Sequence, residues 1–153
     1  REISRIMKQS PATVSKYLKK LHEDNFLHYR KERIYDLYKA DLESNTYLDY
    51  KVYYNIRTLR ESGLLEEINK FYLKPSIVLF GSSASGLDTE KSDIDLLIIS
   101  ENKDKIDNLH NFEKYLNRDI QIFVFSSIKQ IKNKHLLNNM LNGIIIQGEI
   151  TWI

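Results

Sequence analysis

The stretch SIVLFGSSASGLDTEKSDIDLLII, residues 76–99, decides the fold of the second half of this chain. It opens with a continuous run of β-branched and aromatic side chains at 76–80, which is typical of a strand covered on both faces. A Gly81-Ser82 turn follows that run. A second apolar run at 96–99 predicts another buried strand, so the stretch reads as two strands joined by a polar loop.

Two aspartates stand at the head of the second strand. Because alternate side chains of a strand share a face, Asp93 and Asp95 are expected to point the same way. Two neighbouring carboxylates repel each other, and a divalent cation relieves that repulsion. Mg²⁺ suits such oxygen ligands and completes its shell with phosphates and water. The turn at Gly81-Ser82 offers N–H groups and a hydroxyl to phosphate oxygens, so the pattern indicates nucleotide chemistry.

The spacing G-S-x3-G-x5-S-D-x-D resembles the signature of the DNA polymerase β-like nucleotidyltransferase superfamily, and of its minimal single-domain members in particular. The resemblance extends from residue 75 to about residue 150. It implies a mixed α/β fold with a small sheet, which transfers a nucleoside monophosphate from a nucleoside triphosphate to a hydroxyl, with Mg²⁺ or Mn²⁺. It also implies catalytic and metal-binding roles for Asp93 and Asp95, and nucleotide-binding roles for Gly81, Ser82 and Ser92.

The sequence departs from that family at two positions. The family usually carries a third carboxylate on a later strand, here predicted at 120–125, and the expected acid falls on Gln121. An amide cannot accept the proton of the attacking hydroxyl. Asp119 is the nearest acid on that face, and it could substitute only if the strand shifts or bulges. Ser85 stands where many minimal members place Arg or Lys near the phosphates.

The basic residues are concentrated at the start of the chain. Residues 1–40 hold ten basic and five acidic side chains, a net charge of +5, whereas residues 41–153 hold 13 basic and 16 acidic side chains, a net charge of −3. A cationic segment of this kind favours a polyanionic partner.

The first 40 residues also carry a recognisable pattern. Ile3, Ile6 and Met7 predict a short helix, and Ser10-Pro11 predicts the start of a second one with Val14 on its inner face. An alternating stretch at 28–38 predicts a hairpin. This order resembles the winged helix-turn-helix family, which implies binding to double-stranded DNA; a protein-contact module is the alternative. The DNA-contacting candidates are Thr13, Ser15, Lys16, Lys19, Lys20, Arg30, Lys31 and Arg33.

Helical spacing dominates the remaining segments. Residues 42–72 predict two helices broken near Ser62-Gly63, and 102–118 and 126–142 predict two more, before an edge strand at 144–147. Four tyrosines fall in the first of these segments before the break at Ser62-Gly63. We interpret them as core or dimer-interface packing, with a stacking platform for single-stranded nucleic acid as the alternative. The tyrosines are Tyr47, Tyr50, Tyr53 and Tyr54.

Together these patterns predict an α/β (α+β) protein with a winged helix-turn-helix at 1–41, a helical connector at 42–73 and a nucleotidyltransferase-like domain at 74–153. The start at Arg1 and the lack of an earlier helix suggest a processed or cut boundary. The absence of cysteine excludes disulfides and thiolate metal sites. We expect a cytoplasmic protein that contacts no membrane.

Two functions follow from this organisation. The first is nucleotidyl transfer to an unidentified acceptor, for which a protein hydroxyl is one candidate, as in minimal nucleotidyltransferase antitoxins. The second is a non-catalytic, DNA-binding transcriptional regulator whose degenerate nucleotidyltransferase fold senses nucleotide or mediates dimerisation. A homodimer is one option in either case.

Overall fold

The computed structural model describes residues 1–151. They form two compact units, the first Arg1–Asp49 and the second beginning at Tyr50. The division of the chain at residues 41 and 73 stays a prediction.

The first unit contains two helices and a hairpin. Helix α1 spans Glu2–Ile6 and α2 spans Pro11–Glu23. Ser10 caps α2, since its hydroxyl oxygen accepts a hydrogen bond from the Thr13 N–H at 3.1 Å. Strands β1, Leu27–Glu32, and β2, Tyr35–Ala40, pair antiparallel around a two-residue turn. The predicted helix, helix and hairpin are therefore all present.

The apolar face predicted for α1 is not buried. Ile6 is 75% exposed and Met7 is 62% exposed, whereas the buried residue of this helix is Ser4. On α2, Val14 is buried as expected. The spacing of apolar residues therefore identified the α1 helix correctly, but it did not identify the face that packs.

Two consecutive helices precede the sheet of the second unit. Helix α3, Asn45–Glu61, crosses the boundary between the units, and α4 spans Leu64–Tyr72. Gly63 separates them with a φ of 79°, a left-handed conformation that favours glycine. The break falls where the sequence predicted it.

A four-stranded mixed sheet forms the centre of the second unit. Its strands lie in the order β5-β4-β3-β6, where β4 and β5 run parallel and the other pairs are antiparallel. A short helix, α5, follows β3 directly. The bounds are β3 Ser76–Phe80, α5 Ser82–Ser85, β4 Ile94–Ile99, β5 Ile120–Phe125 and β6 Ile144–Gln147.

Apolar side chains cover both faces of this sheet. One face packs against α3, α4 and α6 (Leu109–Leu116), with Leu59, Ile68 and Leu96 almost fully buried. The other face packs against a 3-10 turn at Ile128–Gln130 and against α7 (Lys134–Leu141). The two central strands, β3 and β4, are thus buried on both sides, as their unbroken apolar runs predicted, whereas β5 and β6 are only partly buried.

Some sequence-based expectations need correction. The helices predicted at 102–118 and 126–142 are shorter than expected and begin only after irregular segments. Three of the four tyrosines of α3 are not core residues, because Tyr50, Tyr53 and Tyr54 are each about 60% exposed, and the fourth, Tyr47, is half-buried. Their role in a dimer interface stays a prediction. Across residues 1–151, no helix has the length and apolarity that a bilayer crossing requires.

Candidate functional site

The pairing of β3 with β4 brings the Gly81 turn against an aspartate. Phe80, the last residue of β3, lies opposite Asp95 in the antiparallel register. Gly81 then turns with φ 71° and ψ −153°, a backbone region that is essentially restricted to glycine. A Cβ atom at this position would lie 2.5 Å from Asp95 Oδ2. Glycine therefore allows both the turn and the approach of the carboxylate.

The parallel pairing of β4 with β5 completes the group. Gln121 lies opposite Asp95 in register, so the two side chains share a face. The Gln121 amide nitrogen donates a hydrogen bond to Asp93 Oδ2. The structure thus brings Asp93, Asp95 and Gln121 together beside Gly81, with the amide at the position where the sequence analysis expected it.

The electrostatics of this group favour a cation. Burial raises the pKa of Asp95, and the neighbouring charge of Asp93 raises that pKa further. The positive charge of Arg118 acts in the opposite direction and lowers it. Ionised Asp95 is therefore disfavoured by its surroundings, and a positive charge bound between the two carboxylates would stabilise it.

Asp119 does not take the place of a third carboxylate. The ladder between β4 and β5 is regular, with no bulge from Ile94 to Ile99, so Asp119 stays two residues before Gln121. Within residues 1–151, no group of three or more His, Cys, Asp or Glu side chains is arranged to hold a metal ion. The acidic ligands of the site are therefore limited to the aspartate pair.

The serines of the loop have different environments. Ser82 begins helix α5 directly after Gly81. Ser85 donates its hydroxyl hydrogen bond back to the Ser82 carbonyl oxygen at 3.0 Å. The Ser92 hydroxyl oxygen accepts a hydrogen bond from the Thr89 N–H at 3.0 Å and so closes a turn. Ser82 is thus adjacent in the chain to Gly81, which lies against Asp95. The Ser92 side chain, in contrast, forms its hydrogen bonds within the loop.

A second polar cluster, which the sequence analysis missed, lies behind the loop. Asp88 is buried and forms ion pairs with Arg118 and Lys51. Asn55 of α3 donates a hydrogen bond to the same carboxylate. These residues lie about 30 positions or more from Asp88 along the chain, so no local motif could reveal the cluster.

The basic side chains of the first unit lie on its surface. Lys16, Lys19 and Lys20 are exposed on α2, where Ser15 is exposed as well. The Thr13 hydroxyl lies 2.8 Å from that of Ser10 and contributes to the helix cap. On the hairpin, all three basic candidates are exposed: Arg30 forms an ion pair with Glu32 at 2.8 Å, Arg33 lies in the turn with a φ of 53°, and Lys31 lies between them on β1.

A mixed sheet with an aspartate pair beside a glycine-serine turn defines the class of nucleotidyltransferase-fold proteins. The family model described as "Nucleotidyltransferase domain" matches residues 61–145, more than half of the chain. The chain therefore belongs to the nucleotidyltransferase domain family. A second model, "Iron dependent repressor, N-terminal DNA binding domain", matches residues 1–34, and the first unit is thus a winged-helix DNA-binding module. A search of curated proteins returned no significant match.

The close approach of Gly81 to Asp95 can be tested through stability. Gly81→Ala should destabilise the fold by about 1–3 kcal/mol through backbone strain alone. The clash with Asp95 should add to this, so the same substitution should cost about 1 kcal/mol less in an Asp95→Ala background. Urea unfolding of the four proteins of this cycle measures the difference.

Gly63→Ala provides the matched control for that cycle. Gly63 also has a positive φ, but a Cβ there would meet open space. Its penalty, about 1–2 kcal/mol, should be the same with and without Asp95. An equal Gly81→Ala penalty in both backgrounds would contradict the close approach.

Proposed function

We propose that the second unit is a metal-dependent nucleotidyltransferase, which transfers a nucleoside monophosphate from a nucleoside triphosphate to a hydroxyl. The observation that carries the proposal is the convergence of Asp93 and Asp95 beside the Gly81-Ser82 turn. Membership of the nucleotidyltransferase domain family supports it.

The aspartate pair fits one divalent cation. Mg²⁺ in nucleotide sites is commonly held by one or two carboxylates together with phosphate oxygens and water, and Mn²⁺ accepts the same ligands. Asp93 and Asp95 would hold the ion, and the Gln121 carbonyl oxygen could join them after rotation of the amide. A bound cation would neutralise charge on the triphosphate and on the departing pyrophosphate.

The protein side chains have defined tasks in such a transfer. The N–H groups at the start of α5 would orient phosphate oxygens next to Asp95. The acceptor oxygen forms a bond to the α-phosphorus while the bond to pyrophosphate breaks. Gln121 cannot take the acceptor's proton, which therefore passes to water. We accordingly expect slow transfer, since general-base assistance typically contributes about 10²–10⁴-fold.

The first unit would bring the protein to double-stranded DNA. The basic face of α2 would enter the major groove of double-stranded DNA, and the hairpin would contact phosphates. Thr13, Ser15 and Lys16 would face base edges, whereas Lys19, Lys20 and the basic hairpin residues would neutralise backbone charge. The acceptor hydroxyl belongs to a protein, a nucleic acid or a small molecule that is present at such a site.

One observation favours a second candidate function. Gln121 occupies the position of the third carboxylate and donates to Asp93. A site of this kind could bind a metal-nucleotide complex without turning it over. The protein would then be a DNA-binding regulator whose nucleotidyltransferase fold senses nucleotide, and the exposed tyrosines of α3 would offer a surface for a second copy.

Removing the charge of one site carboxylate tests whether the second unit binds a metal–nucleotide complex at the aspartate pair, as both candidate functions require. Asp95→Asn keeps the shape of the side chain but removes its charge, so affinity for a Mg²⁺–triphosphate complex should fall about tenfold or more. Calorimetric titration with each of the four ribonucleoside triphosphates measures binding, and pyrophosphate release measures transfer.

Glu101→Gln is the control for this experiment. Glu101 lies beyond the opposite end of β4, about 20 Å along the strand from Asp95. Its substitution should leave both measurements unchanged. Equal binding by wild type and Asp95→Asn would overturn the assignment of the site, whereas wild-type binding without pyrophosphate release identifies the sensor.

Restoring the third carboxylate should increase transfer. Gln121→Glu places a proton acceptor opposite Asp95, and pyrophosphate release should rise about 10²-fold or more. Without a divalent ion the added charge should lower the melting temperature, and Mg²⁺ should recover it. Gln130→Glu, at an exposed position of the 3-10 turn, is the matched control. No gain with Gln121→Glu would show that the missing acid does not limit the reaction.

DNA binding by the first unit should depend on its helix lysines. Replacement of Lys16, Lys19 and Lys20 by Gln should weaken binding to a mixed-sequence duplex about 10²-fold or more at about 50 mM salt. The slope of log affinity against log salt should fall by about one for each phosphate that the variant no longer neutralises. Fluorescence anisotropy across a salt series measures both quantities.

A triple variant in the second unit tests whether charge alone explains such a loss. Replacing Lys103, Lys105 and Lys114 by Gln changes the net charge equally but leaves α2 intact, so it should retain most of the affinity. If both triple variants lose affinity equally, the winged helix is not the DNA-contacting surface.

A further inference from the structure

Arg118 holds together the loop that leads to the aspartate pair. It lies between α6 and β5, and its side chain is only 12% exposed. Its Nε donates a hydrogen bond to the Ser92 carbonyl oxygen at 2.7 Å, and Nη2 donates to the Asp93 carbonyl oxygen at 2.9 Å and to the Ser83 hydroxyl oxygen at 2.7 Å. One guanidinium thus joins the start of the loop, at Ser83, to its end at Ser92 and Asp93.

Asp88 anchors this guanidinium from within the same loop. The Asp88 side chain is 2% exposed, and its Oδ2 lies 3.0 Å from Arg118 Nη1 and 3.3 Å from Lys51 Nζ. Its Oδ1 accepts a hydrogen bond from Asn55 Nδ2 at 2.7 Å, and Asn55 also donates to the Ser83 carbonyl oxygen. Every partner of this buried carboxylate is a donor or a cation, so removal of Arg118 would leave the carboxylate undercompensated.

Arg118 contacts the candidate site through a backbone atom of Asp93. It binds the Asp93 carbonyl oxygen rather than the Asp93 carboxylate, which is the partner of Gln121. Arg118 lines a cavity of about 180 Å³ with Ile94 and Leu116, which includes neither Asp93 nor Asp95. It also lines a second, more open cavity of about 340 Å³, which includes Asp93. The hydrogen bonds of Arg118 therefore hold the backbone at Asp93 and leave the Asp93 carboxylate to Gln121.

We propose that Arg118 is a positioning residue, which together with Asp88 fixes the loop 83–93 so that Asp93 meets Asp95 beside the Gly81 turn. The consequence for metal binding rests on the proposed function, but the fixing of the loop does not. Lys can replace Arg here only in part, because one ammonium group keeps the charge opposite Asp88 but cannot bond two carbonyl oxygens, a hydroxyl and a carboxylate in a planar fork.

Hydrogen exchange followed by mass spectrometry, on the full chain, tests the fixed loop directly. In Arg118→Gln the amides of residues 84–93 should exchange about tenfold faster or more, while those of β3 and β4 stay protected. Mn²⁺ binding, followed by electron paramagnetic resonance, should weaken about tenfold in the same protein. Arg118→Lys should recover part of the Mn²⁺ affinity, because it retains the charge opposite Asp88.

Arg60→Gln is the matched control, since Arg60 is an exposed arginine of the same unit whose bond to the Ile146 carbonyl oxygen is long, at 3.4 Å. It should alter neither measurement. If Arg118→Gln does not fold, Ser83→Ala removes one bond of the guanidinium, together with the long hydrogen bond that the Ser83 hydroxyl donates to the Asp93 carbonyl oxygen at 3.4 Å. It should raise loop exchange about threefold.

Unchanged loop exchange in a folded Arg118→Gln protein, or in Ser83→Ala where the former fails to fold, would overturn the proposal. Faster loop exchange with unchanged Mn²⁺ affinity would also overturn it, because the loop would then not position the ligands. If wild type itself binds no Mn²⁺, the proposed function fails, and loop exchange alone decides whether Arg118 fixes the loop.

Discussion

The register between β3 and β4 is the constraint on which the candidate site depends. With Phe80 opposite Asp95, the turn at Gly81 must lie against that carboxylate. A shift of one residue would move Asp95 away from Gly81 and would exchange the side chains that pack in the two apolar layers, because strand side chains alternate between faces. The core therefore fixes the register, since Leu96 and Ile98 are fully buried on one face and Leu97 on the other.

Part of this arrangement could be predicted because its determinants are local. The strand at 76–80, the glycine-serine turn and the aspartate pair lie within 20 residues of one another, and their alternation alone gives the shared face. The position of Gln121 required only that β5 pair with β4 in parallel register. The roles proposed for these residues remain predictions, whereas the fold and the family are confirmed.

The remaining features depend on contacts between distant parts of the chain. Periodicity identified α3, but it could not tell that Leu59 is buried while Tyr53 faces solvent, since both belong to apolar positions of one helix. The ion pair of Arg118 with Asp88 joins residues 30 positions apart. In the sequence each of these charges resembles an ordinary surface residue, and only folding removes them from water.

The number of carboxylates in the candidate site bears on whether the protein acts as an enzyme or as a nucleotide sensor. Three carboxylates can hold two divalent ions, one for the triphosphate and one for the attacking hydroxyl, because each added acid offsets the repulsion between the ions. Under the proposed function, Gln121 would stand in place of one acid, and the aspartate pair would offer the charge for one ion. The triphosphate brings its own negative charge and favours the ion that it coordinates. Under the same proposal, the acceptor hydroxyl would lack both a metal and a base, which would impair transfer more than nucleotide binding.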